Sequence, residues 1–465
     1  CALDENNLLV MTYIDEVWKV DWKTQAVEFL NLGIVQKNGK PYQYLYGHAA
    51  KDGSFWLTNQ TSLIHLTTQN SNWGFVHFQN INPECNKNNW QRAYALSPDQ
   101  QSLYIGTLRG NGLLVWQFNK GKLDVYPYRQ LERTDGTDVL MSALCFDPSG
   151  RCWIGSDTGL LYLNAGERRI QRFASTDPGF DSVSTAQISA MALSGQMLWI
   201  GTKGRGVYGL DLPSGRIQPM REGGLNAGST VNCLLVDRRQ RVWVGHDRGL
   251  TAFHPETGKY WYFGHKTGPP QDLSCDVVSW LALDSMGHLW VSTLGGGILR
   301  LRQAEPEHPW FDAYFNNEEP GGNLMYKFVL CDRGKLWIGA QSGMAVLDTA
   351  TGEFVNYDRR DGMFAKIGAI IRLPDGRIVS GAHQGFQLFH PDSTQHSALQ
   401  SAPYLKRFRV FDKDIDLPFQ IDRMKDITLA YNQNHFSFEL GAINFGESAR
   451  TKFAYRLEGY DKDWV

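Results

Sequence analysis

Val231-Asn-Cys-Leu-Leu-Val-Asp, Val242-Trp-Val-Gly, Leu250-Thr-Ala-Phe-His and Lys259-Tyr-Trp-Tyr-Phe are four short, largely apolar runs in a row. Arg238-Arg-Gln-Arg separates the first two, a turn ending at Gly249 the next two, and Pro255-Glu-Thr-Gly the last two. Each run has strand length, is rich in β-branched or aromatic residues and is bounded by turn formers, so the stretch reads as a four-stranded meander. Its second run recurs. Leu198-Trp-Ile-Gly-Thr, Leu289-Trp-Val-Ser-Thr, Leu336-Trp-Ile-Gly-Ala and Cys152-Trp-Ile-Gly-Ser are close copies, and Phe55-Trp-Leu-Thr-Asn, Leu103-Tyr-Ile-Gly-Thr and Arg377-Ile-Val-Ser-Gly are looser ones. The anchors Trp56, Tyr104, Trp153, Trp199, Trp243, Trp290, Trp337 and Ile378 lie 41 to 49 residues apart, and Leu8-Leu-Val-Met-Thr is a ninth, degenerate copy. Four strands at that period make the blade of a β-propeller. The Trp is expected to pack between blades and the Gly after it to let the backbone turn near the crowded centre, both structural roles.

Nine copies exceed the roughly four to eight blades of closed propellers. Cys1-Ala-Leu-Asp also matches the end of a first strand, so the chain reads as a segment of something longer. The expected partition is two terminal blades of an upstream propeller over 1–88 and a seven-bladed propeller over 89–400. A single eight-bladed ring is the alternative. After His390-Pro391-Asp392 the pattern stops. Pro403-Tyr-Leu-Lys-Arg-Phe-Arg-Val-Phe, Asn434-His-Phe-Ser-Phe-Glu-Leu and Thr451-Lys-Phe-Ala-Tyr-Arg-Leu alternate as strands do, which predicts the start of an Ig-like β-sandwich over 401–465. The expected class is all-β throughout.

The totals fit this reading and exclude others. The 47 Gly, 15 Trp and 19 Tyr supply tight turns and pleated-surface packing. With 46 Lys+Arg against 48 Asp+Glu the net charge is −2, which gives no electrostatic case for nucleic acid or an anionic membrane surface. No run of about 18 apolar residues is present, so no membrane contact is expected within the segment. The seven cysteines have no CxxC spacing, and neither a metal nor a cofactor is expected. Cys145 and Cys152 flank the turn Asp147-Pro148-Ser149-Gly150; the reading preferred over a cross-strand disulfide is two small core residues. Gly204-Arg-Gly-Val-Tyr-Gly209 matches GxGxxG but lies between two strands of a blade, where no dinucleotide fingerprint belongs. Walker, HExxH and GxSxG motifs are absent, and no carboxylate pair can be placed as general acid and base.

The Leu-Trp-Ile-Gly-Thr…Gly-Leu…Asp-Pro…Thr-Gly…Phe…Tyr pattern, clearest over 242–263 and 336–357, resembles the two-component regulator propeller repeat. The terminal Tyr455-Arg-Leu-Glu-Gly-Tyr-Asp-Lys-Asp-Trp464 resembles the opening half of the triple-tyrosine (Y_Y_Y) module that follows such propellers. This resemblance implies the periplasmic sensor region of a bacterial receptor. A membrane helix and a histidine kinase, hybrid kinase or diguanylate cyclase output would then follow, with a small-molecule or oligosaccharide ligand and a homodimeric full receptor.

In a propeller the loops joining second to third strands share a face with the connections between blades, the face that usually receives ligands. Those loops hold Arg109, Lys203, Arg205, His246, Asp247, Arg248, Gln341, His383 and Gln384. Several loops carrying donors and converging around one axis suit an anionic or hydroxyl-rich ligand; taken singly, each residue reads as an ordinary turn residue. Trp280 and Tyr46 can stack on a sugar ring, with core packing the simpler role. The function expected is ligand sensing and signal transmission without catalysis in this segment. A propeller lyase or glycosidase and a protein-binding scaffold are the competing classes.

Overall fold

In the computed structural model, the described residues are the strand backbones at 7–11, 17–21, 27–29, 46–49, 54–58 and 63–67, followed by 73–85, 90–108, 112–126, 139–220, 228–266, 270–302, 309–315, 328–340, 343–358, 361, 363, 368–382, 385–393, 403–414, 428–442 and 453–463. Seven four-stranded antiparallel sheets follow one another in this part of the chain. Blade 1 runs from Gln91 to Tyr126, blade 2 from Met141 to Arg172, blade 3 from Ile188 to Met220 and blade 4 from Val231 to Phe263. Blade 5 runs from Val278 to Tyr314, blade 6 from Phe328 to Tyr357 and blade 7 from Ile370 to Phe389. The first strand of each blade contacts the first strand of the next, and blade 7 returns to blade 1, so these strands form the inner wall of a closed ring.

Blade 7 takes its fourth strand from Gly74–His77, which pairs antiparallel with Gly385–Phe389. The ring therefore reaches back across residue 88, where repeat counting put its start. The compact unit runs Asn72–Gln395. Gly-Phe-Val-His carries no copy of the repeated phrase, so only sheet pairing reveals its place. On the other side of the junction, Gln91 Nε2 donates to the carbonyl of Ala382 at 2.8 Å and to that of Gly385, tying blade 1 to blade 7.

The repeated Trp packs between blades, as its spacing suggested. Trp153 joins Ile188 and Ile200 of blade 3, Trp199 joins Val231 and Val244 of blade 4, and Trp243 joins Leu281 and Val291 of blade 5. The glycine two residues on has a different role from the turn expected of it. It lies within the second strand, and its hydrogen clears the next blade. A Cβ on Gly155 would lie 2.6 Å from Ile188 Cγ2, and one on Gly201 2.5 Å from Val231 Cγ1. Close approach, not backbone freedom, selects glycine here. In blade 7 the register Val379↔Leu388 and Gly381↔Phe386 aligns Val379 with the tryptophans, one place after Ile378.

Three hairpins between first and second strands share one device. Asp147, Asp237 and Asp284 each accept two backbone N–H groups of their own turn and the indole N–H six residues on, from Trp153, Trp243 and Trp290 at 2.9, 2.8 and 3.1 Å. An Asx-type turn is thereby bolted to the interblade core. Cys145 and Cys152 are free. Cys145 opposes Trp153 while Phe146 opposes Cys152, so the two thiols leave opposite faces of the sheet. Gly204 and Gly206, both at positive φ, form a strand-to-strand turn with no helix after it.

The second compact unit gathers Cys1–Ser71 and His396–Val465. Its first segment contains two three-stranded meanders, with Ser54–Thr58 central in the second. Its last segment has one three-stranded sheet in which Pro403–Val410 lies between Lys413–Asp414 and Phe436–Ala442. The strand expected over 451–457 is absent from the described residues 453–457, although Tyr455 packs edge-on against Phe438 at 5.3 Å.

Candidate functional site

One end of the ring carries both the starts of the inner strands and the turns between second and third strands. A repeated backbone bond joins them. The residue after the second strand donates to the carbonyl just before the first: Leu108 to Trp90, Asp157 to Leu140, Lys203 to Gln187, Asp247 to Thr230 and Leu294 to Val277. Of the residues nominated from the sequence, this end gathers Lys203, Arg205, His246, Asp247 and Arg248. Arg109, Gln341, His383 and Gln384 lie outside the described residues, as does the Tyr46 side chain.

His246 belongs to the fold. In blades 1, 2, 3 and 5 the hydroxyl of the last residue of the second strand locks the following turn: Thr107 onto the Gly112 carbonyl, Ser156 onto Gly159, Thr202 onto Gly206 and Thr293 onto Gly297. His246 occupies the same place in blade 4. Its Nδ1 accepts the Arg248 N–H at 3.3 Å, which leaves Nε2 as the donor to Thr251 Oγ1 at 3.2 Å. The ring is fully buried. Burial pushes its pKa down to about 4, outweighing the opposing pull of Asp247. A neutral imidazole with both nitrogens occupied is a turn lock, and this replaces the ligand contact expected of it.

Arg205 is also engaged. Its Nη1 donates to the Ser182 carbonyl at 3.0 Å and to Thr185 Oγ1 at 3.2 Å. Asp247 Oδ1 accepts the Thr230 N–H, and the Arg248 carbonyl accepts the Tyr262 hydroxyl at 2.5 Å. Trp280 packs at a tilt against Phe328, with ring centroids 4.9 Å apart, between blades 5 and 6, the core role.

Sequence reading missed a second set of residues at this end. The first strands of blades 1 to 5 open with a bulge, and the bulged residues are Arg92, Ser142, Ser189, Asn232 and Ser279. Ser142, Ser189 and Asn232 donate across to the next blade, to the carbonyls of Ile188, Val231 and Val278 at 2.5, 2.5 and 2.8 Å. Ser279 bonds Ser292 within its own blade. Arg92 is the one cation of the column. It is half-buried, and burial lowers its pKa from the ordinary arginine value. The exposed Lys203 is lowered too, first by partial desolvation and then by the charge of Arg92. The signal was an odd residue in an aligned column, visible only once the bulge fixes the alignment.

A separate open cleft of about 480 Å³ runs along the outer edge of blade 5, between Trp310, Tyr314 and Arg302. Its Asp312 accepts from Arg300 and Arg302 at 2.8 and 2.6 Å.

The seven four-stranded sheets closed into a ring define a seven-bladed β-propeller. Among solved structures, the chain is similar over 100% of its length to the extracellular domain of a hybrid two component system of B. thetaiotaomicron, with a TM-score of 0.71 and 19% identity. It is also similar over 100% of its length to the extracellular domain of a one component system of the same organism, with a TM-score of 0.58 and 19% identity. It spans 61% and 63% of those two chains. Histidine kinase P4 of Formosa agariphila is 22% identical over 427 residues, which is 86% of this chain and 30% of that protein. No family model matches the sequence. No helix among the described residues is long and apolar enough to cross a membrane.

Proposed function

We propose that this chain is the ligand-sensing, extracytoplasmic part of a bacterial membrane receptor of the two-component sensor-kinase type. The propeller binds a small molecule or oligosaccharide in the periplasm. The module after it passes the change to a cytoplasmic output domain, in a receptor that works as a homodimer. The observation that carries this reading is the fold match along the whole chain to the extracellular domain of a hybrid two component system. Sequence likeness to a histidine kinase supports it. The segment itself acts by binding, without catalysis.

A thermal-shift screen of the purified chain against oligosaccharides, monosaccharides and organic acids tests it. A selective ligand at 100 times its dissociation constant is expected to add about 2.7 kcal/mol. Degradation of an oligosaccharide by the chain, with no stabilising ligand found, would overturn the reading in favour of a propeller enzyme.

A further inference from the structure

We propose that the open cleft along the outer edge of blade 5 is a saccharide subsite, where the Trp310 indole stacks on a sugar ring and Asp312 and Arg302 bond its hydroxyls. The proposal rests on the sensor reading above and gives its ligand a place of contact and a class, a neutral oligosaccharide.

Blade 5 breaks the repeat along its two outer strands. Elsewhere the residue at the foot of the fourth strand is tied to the end of the third: Asp211 donates to the Arg216 carbonyl at 3.0 Å, His254 to Lys259 at 2.8 Å and Asp348 to Glu353 at 3.0 Å. Gln117 faces Lys122 at the same place in blade 1. Arg216, Lys259, Glu353 and Lys122 are all charged and exposed, as a solvated strand end favours. In blade 5 the same bond runs from Arg302 to Trp310 at 2.9 Å, and that indole is 44% exposed, with no ring contact among the described residues. Phe311 beside it already fills the core. Two residues on, Arg300 faces Asp312, where blades 3, 4 and 6 have the uncharged pairs Gly209–Gln218, Ala252–Trp261 and Val346–Val355. An exposed platform and a charged pair therefore replace, in one blade, what the repeat uses for solvation and packing.

The polar groups are fixed before a ligand arrives. Asp312 Oδ2 accepts from Arg300 Nη2 at 2.8 Å and from Arg302 Nε at 2.6 Å. The Arg300 guanidinium lies over the buried Trp290 ring at 5.5 Å, and Tyr314 packs on the same ring at 5.5 Å. Partial burial alone would raise the Asp312 pKa, but the bonds from Arg302 and Arg300 outweigh it and hold the carboxyl below its ordinary value. None of these bonds uses Asp312 Oδ1 or the Arg302 Nη groups. An acceptor and a donor thus stand side by side, as adjacent sugar hydroxyls require. A cationic ligand would meet two guanidiniums and an anionic one a carboxylate, which selects a neutral polyol. Its C–H face suits the indole, since aromatic rings contribute apolar area at an otherwise polar contact. Trp310 and Tyr314 stand at the two ends of one strand, about 13 Å apart along it, a span longer than one sugar ring. The cleft of about 480 Å³ is open, so the saccharide chain runs on past it.

The repeat supplies variants that keep the fold. Trp310→Lys installs the residue of blades 1 and 4, and Arg302→Gln that of blade 1. The purified chain is applied to an array of neutral and acidic oligosaccharides, and what it retains is titrated by calorimetry and tryptophan emission. A neutral oligosaccharide is expected to bind the wild type with a blue shift of emission and little dependence on sodium chloride. Binding is expected to be tenfold or more weaker to Trp310→Lys and Arg302→Gln, and less weakened in Trp310→Phe, which keeps a flat ring but loses the emission shift. Without ligand, both repeat-derived variants are expected to melt at the wild-type temperature, which separates loss of the site from loss of the fold. Retention of no neutral oligosaccharide, or equal binding by wild type and variants, would overturn the proposal. Binding lost in Lys203→Ala and kept in Trp310→Lys would also overturn it, placing the ligand at the ring end and leaving the sensor reading intact. Self-association of the wild type that Trp310→Lys abolishes, with no sugar bound, would make this edge a contact between copies and overturn the subsite. Binding that needs Trp310, with no change in output from the full receptor, would support the subsite and remove the sensor reading.

Discussion

Blades 3 and 4 are neighbours written in the same phrase, yet their first hairpins are built differently. In blade 4 five residues, 237–241, make the turn. Asp237 accepts the N–H groups of Arg239 and Arg241, the Arg241 side chain at 2.7 Å and the Trp243 indole at 2.8 Å, with all but Arg239 buried. Blade 3 turns over Gly195-Gln196 between the paired residues Ser194 and Met197, and the buried Trp199 Nε1 has no partner among the described residues. Blade 6 shows that turn length, beyond the acid itself, decides this. It has an aspartate, Asp332, but its two-residue turn Arg333-Gly334 leaves Trp337 Nε1 equally unsatisfied. Asp332 instead accepts an ion pair from Arg372 of blade 7 at 2.7 Å. A three-residue excess in the longer turn is what brings a carboxylate beneath the indole; without it the blade relies on apolar packing alone.

That contrast can be broken most directly at the carboxylate. Asp237→Ala strands a buried guanidinium and a buried indole N–H, and is expected to cost about 3–5 kcal/mol in chemical denaturation. Ser194→Ala at the corresponding place in blade 3 is expected to stay within about 0.5 kcal/mol. The next largest effect is one of pH. His246 is neutral in the fold with a pKa of about 4 against an ordinary 6.5, so unfolding takes up a proton between those values. Stability is then complete above about pH 6.5 and falls as pH drops towards 4, by about 3 kcal/mol in all. Thr202 fills the same place in blade 3 and does not titrate, so His246→Thr is expected to flatten the acid limb of a melting-temperature profile. A shared feature should respond equally in both blades. Gly245→Ala and Gly201→Ala each drive a Cβ to 2.5 Å from a valine Cγ1 of the following blade and are expected to cost about 1–3 kcal/mol apiece. Unequal costs would show that the two interblade contacts differ. The finest discrimination is between the indoles. Trp243→Phe breaks a buried hydrogen bond that Trp199→Phe does not, and denaturation midpoints are expected to differ by about 1 kcal/mol in that direction.

The phrase around each Trp was enough to read blade after blade, because interblade packing requires a flat apolar side chain followed by a residue small enough to admit the next blade. Three things escaped it. The strand Gly74–His77 is assigned by pairing across three hundred residues, and nothing local marks it. In blade 7 the phrase slipped by one position, because Val379 and Leu373 replace the Trp and Asp that would have fixed the register. At the candidate site, His246 drew attention as a titratable residue in a loop, although burial makes it a larger version of the threonines in other blades. Arg92 was passed over because it lies in a strand, and only the bulge turns its side chain out of the alternation that hides strand residues in a sheet.

The closing strand has a mechanical consequence. Gly74 opposes Leu388 and His77 opposes Gly385, so the chain enters the ring and leaves it at the same end of one antiparallel pair. Tension between the two connections would load these hydrogen bonds one after another, as a zipper is drawn, and not all at once in shear. Trp73, wedged against Phe389 at 4.4 Å and Tyr357 at 5.0 Å, sits where that peeling would begin. The ring thus has a single seam, pinned by one indole, and force arriving along the polypeptide reaches that seam before any other blade.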